Sequence, residues 1–176
     1  NLTYMNNSLL QIKIKERLNK LGSFDYDNLQ CWQIAEAFNK AQMQWVNRQI
    51  YGLNPSKQGG ESNLHTIDEL RVLITEHSIT GNTNNPLYFE SDVLPENYIG
   101  FKRISTYGKN STCPARPFVV YLAAESDADM LLIDKNSEPS FEWGETFGTL
   151  IGNKLRIYTN GVFDVVNPKL VYYRKP

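Results

Sequence analysis

The hydrophobic pattern changes once along this 176-residue chain, and that change limits the folds it can adopt. Up to residue 51 apolar residues recur at helical spacing, and a single helical turn is predicted over residues 67–70, whereas from residue 72 the apolar residues form short β-rich runs separated by turn residues. Strands that follow one another with little helix between them are typical of an antiparallel sandwich or small barrel. The pattern therefore predicts an α+β chain, in which an N-terminal helical hairpin is attached to an antiparallel β-sandwich/barrel-like domain.

The predicted boundaries divide the chain into three parts that together form a single compact domain. Residues 1–51 form the helical hairpin, residues 52–66 a loop, and residues 67–176 the antiparallel β-domain. Residues 52–63 have no apolar anchor after Leu53, and loops of this length in compact domains are usually functional. Within the β-domain, Asn160-Gly161 is the strongest signal for a β-hairpin. A short helix is predicted over residues 127–132, with Ser126 as its N-cap.

The longest segment with one period is residues 27–51, which predict an amphipathic helix. Asp27 stands at the expected N-cap with Gln30 in capping-box position, and Gly52 follows as a stop. The predicted apolar stripe consists of Ile34, Phe38, Ala41 and Trp45, flanked by Cys31, Ala35 and Ile50. The opposite face is rich in Asn and Gln and carries Trp32. Such a face either contacts another protein or is simply solvated. A shorter helix is predicted over residues 8–21.

Charge is unevenly distributed, although the formal net charge is only -1. A value so near neutrality argues against a nucleic-acid-binding protein, which would be strongly basic. Residues 125–151 carry seven acidic side chains against Lys135, a balance of -6, whereas residues 152–176 carry five basic side chains against Asp164, a balance of +4. Opposite patches suit head-to-tail self-association. They equally suit neutralisation between neighbouring strands of one chain.

No motif in the sequence predicts catalysis or a cofactor. There is no phosphate-binding glycine loop and no nucleophile elbow, and the two His and two Cys residues lack metal-ligand spacing. Glu142 and Glu145 bracket Trp143, as glycosidase carboxylates can, but surface or interface residues fit the same pattern. Three aspartates resemble calcium ligands without the glycine and terminal Glu of an EF-hand, namely Asp127, Asp129 and Asp134. No secretory signal pattern or membrane-spanning run is present, which predicts a reduced intracellular chain.

Several segments, taken in order, resemble a family of viral structural proteins. They are IKERLNKL, YDNLQCWQIAEAFNKAQMQWVNRQIYGLN, ESDVLPENYIGFKRIS, PSFEWGETF, NKLRIYTNG and VNPKLVYYRKP. Their succession is similar to that in the ring proteins, between portal and tail, of crAss-like phages that infect Bacteroidetes. The resemblance extends from about Lys13 to the C-terminus. More distantly, the succession of an N-terminal helix pair, a strand that begins at LPENY–FKRI and a C-terminal strand LVYYRKP looks like that of the head-to-tail adaptors of short-tailed phages.

The resemblance implies a non-enzymatic virion protein without a cofactor, assembled in the host cytoplasm. In that family, subunits form a ring of about twelve copies beneath the portal. Portal and neighbouring ring or tail proteins are the expected partners, no membrane is involved, and genomic DNA passes through the channel without specific recognition. Residues 1–51 and 52–63 are then intersubunit elements. The candidate contact residues are Trp32, Gln42, Arg48, Tyr51, Glu142, Glu145, Arg174 and Lys175. The alternative is a ligand- or glycan-binding β-sandwich module of a phage tail that uses Trp143 and nearby acids.

Overall fold

The computed structural model describes residues 6–19, 30–52 and 68–176. The chain divides into two compact units, residues 1–66 and residues 67–175. The first unit contains α1 (Asn7–Asn19) and α2 (Cys31–Tyr51), and the second contains an eight-stranded sheet. The predicted α+β class is thereby confirmed, with helices at the N-terminus and a curled, barrel-like sheet after them. The predicted loop over residues 52–66 lies outside the described residues apart from Gly52.

The ends of α2 follow from local hydrogen bonding. Gln30 occupies the N-cap, and its backbone N–H donates to Gln33 Oε1 at 3.0 Å. Gly52 ends the helix as predicted, with φ 81° and its N–H donating to Arg48 O at 2.9 Å. The capping pair is therefore Gln30 with Gln33 rather than the predicted Asp27 with Gln30. Asp27 itself lies outside the described residues.

The apolar stripe predicted for α2 is only partly buried. Ile34 is buried and, with Phe38, lines a hollow of about 150 Å³ that Leu10 of α1 also lines. Phe38 and Trp45, however, are 38% and 44% exposed, and Cys31 is exposed rather than on a buried side. Towards the C-terminal end burial moves to Val46 and Ile50, and Val46 lies about 120° around the helix from Ile34. The stripe prediction is wrong there because the buried side of α2 changes along its length.

The second unit opens with a helical turn at residues 68–70 and a 3-10 turn, Arg71–Leu73, followed by eight strands. The strands are β1 Ile74–Ser78, β2 Gly81–Asn85, β3 Tyr88–Ser91, β4 Tyr98–Lys109, β5 Arg116–Leu122, β6 Glu145–Ile151, β7 Lys154–Tyr158 and β8 Asp164–Arg174. Seven of them overlap the β-rich runs that the sequence predicts as strands, which are VLITEHSIT, PLYFESDVL, YIGFKRISTY, PFVVYLA, FGTLIG, KLRIYT and KLVYY. The sequence predicts turns where β2 lies, because Gly81-Asn82 and Asn84-Asn85 are turn residues; this prediction is wrong for most of residues 81–85.

The strand order is β1-β8-β4-β5-β6-β7-β3-β2, and it brings the two ends of the sheet together. β1 and β2 stand at opposite ends of the order, yet only Ile79 and Thr80 separate them in the chain. The Ile79 N–H donates to Pro168 O at 2.8 Å, and Thr80 O accepts from the Asp92 N–H at 2.8 Å. The linker thus contacts both β8 and the end of β3. This arrangement makes one curled sheet, so the barrel-like alternative holds and the two-sheet sandwich does not.

One strand pair departs from the predicted antiparallel sheet. β5 and β6 are parallel, while every other pairing is antiparallel. Parallel neighbours need a crossover connection, and here residues 123–144 supply it. This crossover contains a 3-10 turn, Glu125–Asp127, and α3, Ala128–Ile133. Ser126 does not cap that helix as predicted, because its hydroxyl donates to Asp127 Oδ1 at 3.0 Å.

The core occupies the inner face of the sheet, and α3 covers part of the outer face. Leu155, Ile157 and Leu170 are fully buried in the main cluster. On the other face Phe147 and Tyr158 stack, with 4.6 Å between ring centroids, in a cluster with Ala128 of α3. Side chains of a strand alternate between the faces, so β6 and β7 contribute to both clusters.

Asn160-Gly161 forms a tight turn but not the predicted β-hairpin. Both residues have positive φ, 50° and 69°, as a type I′ turn requires. The flanking strands do not pair with each other, however: β7 pairs with β6 and β3, and β8 pairs with β4 and β1. Leu87 O accepts the N–H groups of Thr159 and Asn160 at 2.8 and 3.0 Å, which holds the turn beside the β2–β3 connection. The hairpin prediction is therefore wrong about strand partners.

Candidate functional site

An open cleft of about 790 Å³ lies beside the β5–β6 crossover. It is lined by Tyr121, Ala123, Leu131, Lys135, Asn136, Ser137, Glu138, Ser140, Glu142, Trp143, Glu145, Thr146 and Phe147. We call it the crossover cleft. Its position follows from the topology, because the parallel pair forces the chain to leave the sheet after β5 and return at β6. The return segment supplies most of the polar lining.

Local hydrogen bonds shape that return segment. Asp134 accepts the Asn136 N–H at 3.1 Å and the Ser137 hydroxyl at 2.9 Å, and these bonds lower the pKa of the Asp134 carboxyl. Ser140 and Glu145 exchange backbone hydrogen bonds of 2.9 and 3.2 Å across the turn that contains Glu142 and Trp143. Trp143 at this turn is 79% exposed. An indole this exposed contributes little to the fold and is available for binding.

Glu142 and Glu145, predicted as contact residues, lie together at this cleft. Both are exposed, and neither forms an ion pair with any residue in the described part of the chain. Glu138 also lines the cleft, whereas Lys135 is its one basic lining residue. The cleft therefore combines a negative charge with exposed aromatic surface. Such a combination suits a cationic or hydroxyl-rich partner.

An exposed apolar strip continues from the cleft across the outer face of β4 and β5. Tyr107, Val119 and Tyr121 are 47%, 51% and 56% exposed, and Pro117 lies directly opposite Tyr107. Their inner-face neighbours Phe118 and Val120 are buried, as the alternation of a strand requires. Val119 pairs with Glu145 on β6, so the strip reaches the acidic side of the cleft. The sequence predicts that PFVVYLA is a strand, but it does not predict which of its residues stay exposed.

Arg116, which the sequence does not single out, packs beneath the same turn. Its guanidinium lies 4.6 Å from the centroid of the Phe141 ring and 5.9 Å from that of Phe118. Its Nε and Nη2 atoms are buried without a hydrogen-bond partner among the described residues. The aromatic faces offset part of that cost through cation–π attraction. Arg116 thus supports the turn from below, and no local sequence signal links it to Phe141.

The basic C-terminal segment is largely neutralised inside the chain. Glu90 accepts Lys154 Nζ and Arg156 Nε, each at 2.8 Å; these bonds lower the pKa of Glu90 and raise that of Arg156. Lys169 Nζ lies 2.7 Å from Glu76 Oε1, which lowers the pKa of Glu76 and raises that of Lys169. For these three basic residues the structure favours neutralisation between neighbouring strands. Their acids lie outside residues 125–151, apart from Glu125 at 3.8 Å from Arg156 Nη1.

The remaining predicted contact residues are dispersed. Arg174 is exposed and donates from Nη2 to Val72 O at 3.4 Å, and Lys175 is exposed with its backbone N–H bonded to Asn97 O at 2.8 Å. On α2, Trp32 and Tyr51 are 64% and 55% exposed. The other two α2 candidates are the half-buried Gln42 and the exposed Arg48. Trp32 and Arg48 lie about 160° apart around the helix, so these α2 residues do not form one patch.

The described residues hold no group of three or more His, Cys, Asp or Glu side chains that could bind a metal ion. Asp127, Asp129 and Asp134 therefore do not converge on a calcium site. Cys31 and Cys113 are exposed free thiols. No helix in the described ranges is long and apolar enough to span a membrane.

No protein family matches the chain, and no curated protein is significantly similar to it.

Proposed function

We propose that this chain is a virion structural protein, one subunit of an oligomeric ring in the head-to-tail connector beneath the portal. The ring would surround the channel through which the genome passes. The observation that carries the proposal is the amount of apolar side chain that a single copy leaves exposed on both of its units. Contiguous exposed apolar surface commonly marks a protein–protein contact.

In the helical unit, Phe38 and Trp45 are exposed on one side of α2, about 20° apart around the helix, and Trp32 is exposed on another side. In the sheet unit, the strip of Tyr107, Val119 and Tyr121 leads to Trp143. Aromatic side chains are enriched at the energetic centres of protein interfaces. Two separate surfaces on one chain allow a heterologous contact, in which one copy's first surface meets the next copy's second, and such contacts close into rings when the rotation permits.

The charge of the chain is compatible with a channel through which DNA slides. A strongly basic protein binds DNA through released counterions and retains it. With a formal net charge of -1, and with three C-terminal basic side chains already bound to Glu76 and Glu90, this chain has little unspecific attraction for phosphates. The resemblance to phage ring proteins supports the same function.

Native mass spectrometry of the purified chain, alone and mixed with the portal assembly of the same phage, tests the proposal. We expect rings of about twelve copies, either alone or on the portal as a template. A chain that stays monomeric in both samples would contradict it. The two positive outcomes separate self-assembly from templated assembly.

A glycan- or ligand-binding module is the second candidate, because the crossover cleft brings Trp143 together with Glu142 and Glu145. Exposed aromatic rings beside carboxylates can bind sugar hydroxyls and C–H groups. A glycan array combined with thermal-shift screening would distinguish the two functions. A ligand-dependent shift that Trp143→Ala abolishes would favour the binding module, whereas a ring subunit should show no such shift.

A further inference from the structure

The first helix has apolar residues on two sides, and one of those sides is uncovered. Leu10 lines the hollow between α1 and α2, whereas Leu9 and Ile12 are 45% and 62% exposed. Leu9 and Ile12 share a face about 140° wide with Lys13, Glu16 and Arg17. We call this face the α1 outer face. A helix of 13 residues is marginal in water by itself, so a partner on this face would stabilise it.

The α1 outer face is also basic. The helix carries Lys13, Lys15 and Arg17 against Glu16; Lys13, Arg17 and Glu16 lie on this face and give it a balance of +1, whereas Lys15 lies about 60° outside it. None of these three basic side chains forms an ion pair with a residue in the described ranges. By contrast, the C-terminal cations Lys154 and Arg156 are held by Glu90. The helix, rather than the C-terminal strands, therefore offers positive charge that is still available.

The crossover cleft is the complementary surface. Glu138, Glu142 and Glu145 line it against Lys135, a balance of -2, and the exposed rings of Tyr121 and Trp143 lie at the same cleft. Its volume of about 790 Å³ lies within the range of sites that enclose a ligand or a few side chains. A helix docked in such a groove inserts the apolar side chains of its docked face and places its charges at the rim.

From this complementarity we propose that α1 of one copy docks in the crossover cleft of the next copy. Leu9 and Ile12 then contact the rings of Tyr121 and Trp143, while Lys13 and Arg17 pair with Glu142 and Glu145. The contact is heterologous, because the helix and the cleft are different surfaces of the same chain, and repetition around an axis closes it. The inference rests on the proposed ring function, for which it names the subunit contact.

Site-directed disulfide formation between two full-length variants tests the contact directly. Both carry Cys31→Ser and Cys113→Ser, which remove the native exposed thiols. One also carries Ile12→Cys and the other Glu142→Cys, so that a mixed disulfide forms only between copies. The matched control replaces Glu142→Cys by Ser111→Cys, an exposed position outside the cleft lining. We expect the Ile12–Glu142 heterodimer to form about tenfold faster than the control, because docking raises the effective thiol concentration. Equal rates would overturn the inference.

Charge reversal provides an independent readout. Lys13→Glu with Arg17→Glu should weaken self-association about tenfold, and so should Glu142→Lys with Glu145→Lys. An equimolar mixture of the two variants should associate more tightly than either alone, because it restores opposite charges. If both variants assemble like the wild type, the pairing is wrong. Circular dichroism of each variant verifies that the fold is retained.

The two proposals can fail separately. Rings of wild-type chain without cleft-specific crosslinking would overturn the helix-in-cleft contact and leave the ring function standing. Cleft-specific crosslinking of the cysteine variants, together with a wild-type chain that forms only dimers with or without the portal, would support the contact and contradict the ring.

Discussion

Glu90 on β3 holds two basic side chains at one carboxylate, and its titration should be visible in the stability of the chain. Lys154 and Arg156 on β7 each donate to it at 2.8 Å, and the resulting pKa is lower in the folded state than in the unfolded chain. A lowered carboxyl pKa contributes stability that is present above the unfolded pKa and is lost as pH falls through the folded pKa.

We therefore expect Glu90→Gln to lower the free energy of unfolding at pH 7, where the wild-type carboxylate is ionised. The difference between variant and wild type should begin to shrink below about pH 4.3, the ordinary pKa of a Glu carboxyl, and should disappear as pH falls through the lower folded pKa, where protonation removes the pairing in the wild type. Urea titrations between pH 3 and pH 7 measure this. Glu96→Gln, an exposed change without an ion pair in the described structure, serves as the control. A constant difference across that pH range would contradict the assignment.

Position 108 on β4 requires glycine, because the Phe118 ring lies close to its backbone. A Cβ at this position would lie within 3.0 Å of carbons of the Phe118 ring. That ring has little room to move, since Phe163 and Phe141 pack on it at 4.4 and 5.8 Å between centroids. Gly108→Ala should lower the free energy of unfolding by about 1–3 kcal/mol through overpacking. Lys109→Ala, on the exposed side of the strand, should change it by less than about 0.5 kcal/mol. Chemical denaturation compares the two variants.

Among the elements, the turn at Asn160-Gly161 shows what local sequence can predict. The residue pair correctly indicates a turn with two positive φ angles, because Asn and Gly tolerate that conformation. It does not indicate which strands pair, since strand partners depend on the whole sheet. Similarly, β2 is missed because its residues are polar and turn-forming. It becomes a strand only through pairing with β3.

Substitutions at Asn160 and at Gly161 should change the stability of the chain by different amounts. Gly161 has φ 69°, so Gly161→Ala should cost about 1–2 kcal/mol of stability, the penalty for an L-residue in the left-handed region. In a chain of this length that corresponds to a lower Tm by about 2–8 °C. Asn160→Gly should keep the turn conformation and leave Tm nearly unchanged. Equal effects of the two changes in thermal denaturation would show that this geometry does not limit stability.

At the scale of the whole molecule, the order of elements could be predicted and their arrangement could not. Periodicity identifies the helices and seven of the strands, because each depends on neighbours in sequence. The parallel β5–β6 pair and the meeting of β1 with β2 depend on contacts between distant residues. The crossover cleft, likewise, can be predicted only in part. The close spacing of Glu142, Trp143 and Glu145 in the sequence is enough to predict that they lie together. Tyr121 and Arg116 join them only through the fold.

The exposed surfaces are also a property of the whole molecule. The apolar residues of α2 and the strip on β4 and β5 would be expected in a core from sequence alone, yet many stay exposed in one copy. The proposed ring accounts for this, because neighbouring copies would cover them.

The proposed ring function places this chain in a phage particle, and its amount in purified particles is the most direct test of that proposal. Quantitative mass spectrometry with isotope-labelled peptides gives its molar ratio to the portal protein. A connector ring with the symmetry of the portal predicts a ratio of about one, or about twelve copies per particle. Absence from the particle, or a ratio far from one, would contradict the account.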